Sequence, residues 1–102
     1  LLTSTVVSKH DKHIESLCDQ LRDDYDLILC NVPLYSIKRR RVAEIDILGV
    51  NETYCDVFEV KCSHRITKAR KQLNKIRRLM SGVRHTFFYC GNSEQLVKVK
   101  PR

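Results

Sequence analysis

An α+β sandwich, with a β-meander flanked by helices, is the fold class that this sequence predicts, and three observations carry it. Two segments repeat apolar residues at helical spacing, shorter ones alternate at period two, and turn signals separate them in the order α-β-β-β-α-β. At 102 residues the chain suits one small domain, read as 1–102, that buries roughly 60 to 70% of its unfolded surface.

The first helix runs from Lys9 to Leu21, where Ile14, Leu17, Cys18 and Leu21 form one apolar stripe behind a Ser8 cap. Leu27 to Tyr35 ("LILCNVPLY") reads as a strand, and Pro33 assigns it to an edge or a kink because proline cannot donate to a ladder. The turn "SIKRRR" carries four consecutive bases. Val42 to Val50 is a second strand, "NET" a short turn, and Tyr54 to Cys62 a third strand. Ile66 to Met80 is a second amphipathic helix, burying Ile66, Ala69, Leu73, Ile76 and Met80, and Gly82 stops it. His85 to Cys90 is a strand with a buried pattern, and Leu96 to Lys100 gives one more short strand. The connection through the second helix is long enough for a crossover, so the strands on either side of it are expected to be parallel neighbours.

With 42% hydrophobic and 30% charged residues, the composition is that of a soluble globular protein and excludes disordered and collagen-like classes. No apolar run approaches the length of a membrane span, and the opening "LLTSTVVS" lacks the features of a signal peptide. Cys18, Cys30, Cys55, Cys62 and Cys90 include no C-x-x-C pair, which argues against a zinc ribbon or an iron–sulfur cluster. We read them as reduced core residues, and the location as intracellular: cytoplasm or nucleoid, or the host cell for a viral chain.

Charge is segregated. Eleven of the twelve acids lie at or before Glu59, whereas Val60 to Ser93 holds no acid and nine bases, within a chain of net charge +7. Such a basic half implies a polyanionic partner, nucleic acid before anionic lipid, over the simpler reading of a solvated helix face.

The strands also carry charge in apolar settings. Period-two alternation puts Glu44, Asp46 and Leu48 on one face, and Val57, Glu59 and Lys61 on one face of the next strand. A tight turn makes those strands antiparallel, so Asp46, Glu59 and Lys61 are expected to converge. An E-x-K alternation on a solvent face would be a weak ion pair. Three ionisable groups on a surface of Ile, Val and Phe need a stronger reason, because buried charge is costly unless paired or bound to metal. Two adjacent carboxylates suit Mg²⁺, a hard cation that takes oxygen ligands, and a neighbouring lysine suits hydrolysis of a phosphodiester. No Ser/His/Asp arrangement, Gly-rich phosphate loop or zinc-finger spacing is present.

An acid in "EIDIL", then "FEVK", then a helix containing "KARKQL" resembles the PD-(D/E)XK nuclease superfamily, in its RecB-like and archaeal Holliday junction resolvase-like branches. The resemblance spans nearly the whole chain and implies a restriction-endonuclease-like core with a mixed sheet. It implies that Asp46, Glu59 and the Val60 carbonyl hold Mg²⁺, or Mn²⁺ in its place, and that Lys61 acts on the attacking water. Gln72 matches a helix glutamine that supports the site in RecB-like members, and Glu15 is the candidate for the glutamate that the first helix supplies in many members. The proline of the motif is absent, since Ile45 precedes Asp46, and no cluster-binding cysteine arrangement is present. Glu44 is read as a salt-bridge partner of a nearby base, and His10, His13 and His64 as surface or phosphate-contacting residues in preference to a metal-binding or general-base role.

The turn Lys38, Arg39, Arg40 and Arg41, together with Arg65, Lys68, Lys71, Lys75 and Arg78, is expected to contact DNA phosphates without reading sequence. Duplex or branched DNA is the expected partner, a homodimer the expected assembly, and no membrane association is expected. The alternative is a non-catalytic basic nucleic-acid-binding protein that keeps a nuclease-like fold.

Overall fold

The computed structural model describes residues 7–101. The segment "LLTSTV", expected not to be a signal peptide, lies outside the described residues. Two helices and five strands follow in the order α1 (Lys9–Leu21), β1 (Leu27–Tyr35), β2 (Arg41–Val50), β3 (Cys55–Lys61), α2 (Ile66–Leu79), β4 (Val83–Cys90) and β5 (Gln95–Val99). One mixed sheet of order β1-β2-β3-β4-β5 joins the strands. β1, β2 and β3 form the expected antiparallel meander, β3 and β4 are parallel neighbours across α2, and β5 returns antiparallel to β4. The bounds of α1 and β1 are those expected from the sequence, and the other elements differ by one or two residues.

The helices bury the predicted stripes, except that Ile66 and Met80 at the ends of the second one are only half-buried. Ser8 Oγ accepts from the Asp11 N–H at 3.1 Å, satisfying a free donor at the start of α1, and Ile14, Leu17, Cys18 and Leu21 turn inward. They pack with Ile47, Phe58, Val60 and Tyr89 on one face of the sheet. On α2, Ala69, Leu73 and Ile76 are buried against Ile45, Leu48, Val57, Phe88 and Val99 on the other face. The sheet is thus covered on both sides. Pro33 lies on the edge strand β1, where its missing N–H costs no ladder bond. Gly82 follows α2 with φ +80°, a left-handed conformation that glycine adopts without a side-chain clash.

Alternation holds along β3, where Val57 faces α2 while Phe58 and Val60 face α1. It breaks in the neighbouring pair of strands. Ile45 packs with the α2 cluster and Ile47 with the α1 cluster, although both are odd-numbered; in β1, Ile28 packs toward α1 and Val32 toward α2. The β1–β2 ladder pairs Cys30 with Ile47 and Val32 with Ile45, leaving Asn31 and Asp46 unpaired between them, and Asn31 has φ 54°. A left-handed residue reverses the pleat there, and asparagine tolerates that conformation better than most side chains. The expectation that Glu44, Asp46 and Leu48 share one face is therefore corrected: the reversal lies between them.

Asp56, fully buried in β3, anchors the far end of the sheet. It accepts from Tyr25 Oη at 2.5 Å, from Arg84 Nη2 at 2.6 Å and Nε at 3.1 Å, and from the His85 N–H at 2.9 Å. Arg84 also lies over the Tyr54 ring, 3.8 Å from its centroid. Cys18, Cys55 and Cys90 are buried as expected, Cys62 is half-buried, and Cys30 is exposed, correcting its assignment to the core. Among the described residues, edge strand β1 has no outer neighbour.

Candidate functional site

The pleat reversal gives Asp46 its position. The β2–β3 ladder runs from Val50↔Cys55 to Ile47↔Phe58 and stops. One step further, Asp46 lies across from Glu59, and its Oδ2 accepts the Val60 N–H at 2.9 Å. A carboxylate thus takes over where a backbone carbonyl would have continued the ladder, and its burial, with 6% of its surface exposed, is compensated by that bond.

Glu59 is 3% exposed. Its Oε2 lies 3.0 Å from Nζ of Lys61, two residues along the same face, whose side chain is 16% exposed. Burial and then the adjacent Asp46 carboxylate push the Glu59 carboxyl up to about 7, against the opposing pull of Lys61. Asp46, Glu59 and Lys61 are therefore brought together as expected, Glu59 and Lys61 by period-two alternation and Asp46 by the pleat reversal, with two acids for one lysine. That excess of buried negative charge, in an oxygen-donor setting, fits a hard divalent cation. Among the described residues, no group of three or more His, Cys, Asp and Glu side chains is gathered to hold a metal ion. The side chains here supply two carboxylates, and further donors would have to come from backbone and water.

Helix α1 reaches the site through a residue that the sequence reading assigned to the surface. His10 Nε2 lies 2.8 Å from the Val60 carbonyl oxygen and 3.4 Å from Asp46 Oδ2. The signal was available: His10 stands four residues before Ile14 and prolongs the Ile14, Leu17, Cys18, Leu21 stripe toward the sheet. Glu15 is five residues beyond His10, well round the helix. It is exposed and lines an open groove with Lys12, Ser16 and Asp19, so the structure does not bring it to the site.

Gln72 lies on α2 in a small recess with Val42, Ala43, Glu44 and Lys75, and its buried Oε1 finds no hydrogen-bond partner among the described residues. No hydrogen bond joins it to Asp46, Glu59 or Lys61 there. Glu44 pairs with Arg41 at 3.2 Å. His13 packs its ring against Gly91, where an added Cβ would collide with the ring. His64 meets the Phe88 ring edge-on, with 5.6 Å between centroids.

The expected phosphate-contacting residues are all on the surface. Lys38, Arg39, Arg40 and Arg41 occupy the β1–β2 turn and its exit, where Arg39 has φ 61°. Arg65, Lys68, Lys71, Lys75 and Arg78 are exposed along α2. The start of α2 has no side-chain cap and no acid in its first turn, which leaves its N–H groups and partial positive charge facing an open groove lined by His64, Arg65, Thr67 and Lys68. Among the described residues, no helix is long and apolar enough to cross a membrane.

No protein-family model matches the chain, and no curated protein matches it either.

Proposed function

We propose that this protein is a divalent-metal-dependent DNA endonuclease of PD-(D/E)XK type. One observation carries the reading: Asp46 and Glu59, both buried, meet beside the Val60 backbone with Lys61 bonded to Glu59. Surface salt bridges do not need such burial, and a buried pair of acids with one lysine is left net negative.

In this reading Asp46, Glu59 and the Val60 carbonyl would hold Mg²⁺ or Mn²⁺. The cation would supply Lewis acidity toward the scissile phosphate and lower the pKa of water. Lys61 donates to Glu59 and, with its remaining ammonium protons, orients the attacking water and offsets charge that develops on the phosphate. His10 is a positioning residue: its imidazole fixes the Val60 carbonyl and the rotamer of Asp46 through the short contacts of its Nε2. The uncapped start of α2, Arg65 and Lys68 receive a phosphate flanking the cut, and Lys71, Lys75, Arg78 and the β1–β2 turn hold the duplex on either side. These contacts read backbone shape, which favours a structure-selective enzyme acting on duplex or branched DNA. A homodimer would cut both strands, and the enzyme would work inside the cell.

Incubation with linear, supercoiled and four-way-junction DNA tests this, in Mg²⁺, in Mn²⁺ and in chelator, beside Asp46→Asn and Glu59→Gln. Metal-dependent cleavage lost in both variants is expected. Cleavage in chelator, or cleavage that survives both substitutions, refutes the site; DNA binding without cutting in any metal selects the non-catalytic reading.

A further inference from the structure

We infer that Cys18 and Cys30 form a disulfide on oxidation, a modification site that ties helix α1 to edge strand β1. Their Sγ atoms stand 2.7 Å apart, closer than two unbonded sulfurs normally approach. Two independent features of the fold bring them there. Cys18 belongs to the buried stripe of α1 and points at the sheet. Cys30 is the last residue of β1 before the pleat reverses at Asn31, so it follows Ile28 in facing α1, whereas Val32 faces α2.

Access and chemistry are divided between the two thiols. Cys30 is exposed, on a strand with no outer neighbour among the described residues, and both cysteines line an open groove with Asp19, Arg22 and Asn31. Burial, and then the bond to Cys30, push the Cys18 thiol up to about 12. Cys18 therefore holds its proton in the reduced fold, while the accessible Cys30 sulfur is the one that meets an oxidant first. With a small disulfide as oxidant, the Cys30 thiolate attacks one of its sulfurs and expels the other as a thiolate. That thiolate takes the proton from Cys18, and the Cys18 sulfur then attacks Cys30 Sγ and releases the second small thiol. Two protein thiols are oxidised to one disulfide while one small disulfide is reduced to two thiols. The closed loop is short, since the cysteines are twelve positions apart. The two sulfurs already touch in the reduced fold, within ~0.7 Å of the length of a disulfide bond.

The inference is independent of the nuclease reading and is tested without DNA. The full chain is equilibrated with oxidised glutathione, alkylated and digested with trypsin, which cuts after Lys12, Arg22 and Lys38 and so separates the two cysteines. The expected product is peptide 13–22 joined to peptide 23–38, released by dithiothreitol, with Cys55, Cys62 and Cys90 alkylated. Oxidation should also raise the melting temperature by roughly 10 °C, and Cys30→Ser, at an exposed position, should abolish that rise while leaving the reduced melting temperature within ~2 °C of wild type. Alkylation of both Cys18 and Cys30 after oxidation, a glutathione adduct that persists on Cys30, or a crosslink to another cysteine overturns the inference.

Discussion

Replacing Glu59 with Gln should flatten a pH dependence of stability that the wild-type protein owes to this carboxyl. In the folded state its pKa is pushed up to about 7 from an ordinary 4.5 by burial and by Asp46. An acid whose folded pKa is raised binds its proton more tightly in the native state than in the unfolded one. Its favourable contribution is complete below about pH 4.5 and is lost as pH rises through about 7. At about 1.4 kcal/mol per unit, that gap comes to about 3 kcal/mol. Gln keeps the shape and one acceptor for Lys61 but cannot ionise. The assay is urea unfolding of both proteins in metal-free buffer at steps from about pH 4.5 to 8, read as the stability difference at each pH so that contributions from distant groups cancel. Wild type should lose about 3 kcal/mol relative to Glu59→Gln across that range. Millimolar Mg²⁺ at pH 8 should restore part of the loss in wild type alone, because a bound cation favours the ionised carboxylate. A difference constant to within ~0.5 kcal/mol, or one that grows in favour of wild type as pH rises, refutes the argument that Glu59 is an under-compensated buried acid.

Asp56→Ala should cost about 3–5 kcal/mol in urea unfolding, since it strands Arg84 and Tyr25 beside a buried vacancy. Replacing Lys68, Lys71 and Lys75 with Ala should weaken DNA binding and reduce the slope of log affinity against log salt by ~0.9 for each phosphate no longer neutralised, as measured by fluorescence anisotropy. His10→Ala should lower the cleavage rate about tenfold or more while Glu15→Ala leaves it unchanged, because α1 brings His10 and not Glu15 to Val60 and Asp46.

Legibility in the sequence tracked the locality of the cause. The stripes of α1 and α2 follow from helical geometry within one segment, and so did the shared face of Val57, Glu59 and Lys61. The face of Asp46 was not fixed locally, because it depends on a left-handed Asn31 in the paired strand; asparagine just before "VP" was the signal to weigh. His10 was legible as the next turn of an apolar stripe, yet its target, the Val60 carbonyl, lies 50 residues away. The Asp56 network was hidden for the same reason. Its partners Tyr25 and Arg84 come from either side of the chain and meet only when the sheet closes.

Asp56 and Glu59 make the strongest internal comparison, because one strand buries both almost completely. Asp56 receives four hydrogen bonds, and although burial pushes its carboxyl upward, Arg84, Tyr25 and the His85 N–H prevail and hold it below the usual carboxylate range. Glu59 has Lys61 as its ion-pair partner and a second carboxylate beside it, and its carboxyl goes the other way. The fold thus can satisfy a buried acid fully, and does so three residues from where it leaves one short of positive charge. A structural role explains Asp56 without remainder. At Glu59 the deficit has the sign, the ligand chemistry and the neighbouring basic surface that a divalent cation and a phosphodiester would complete.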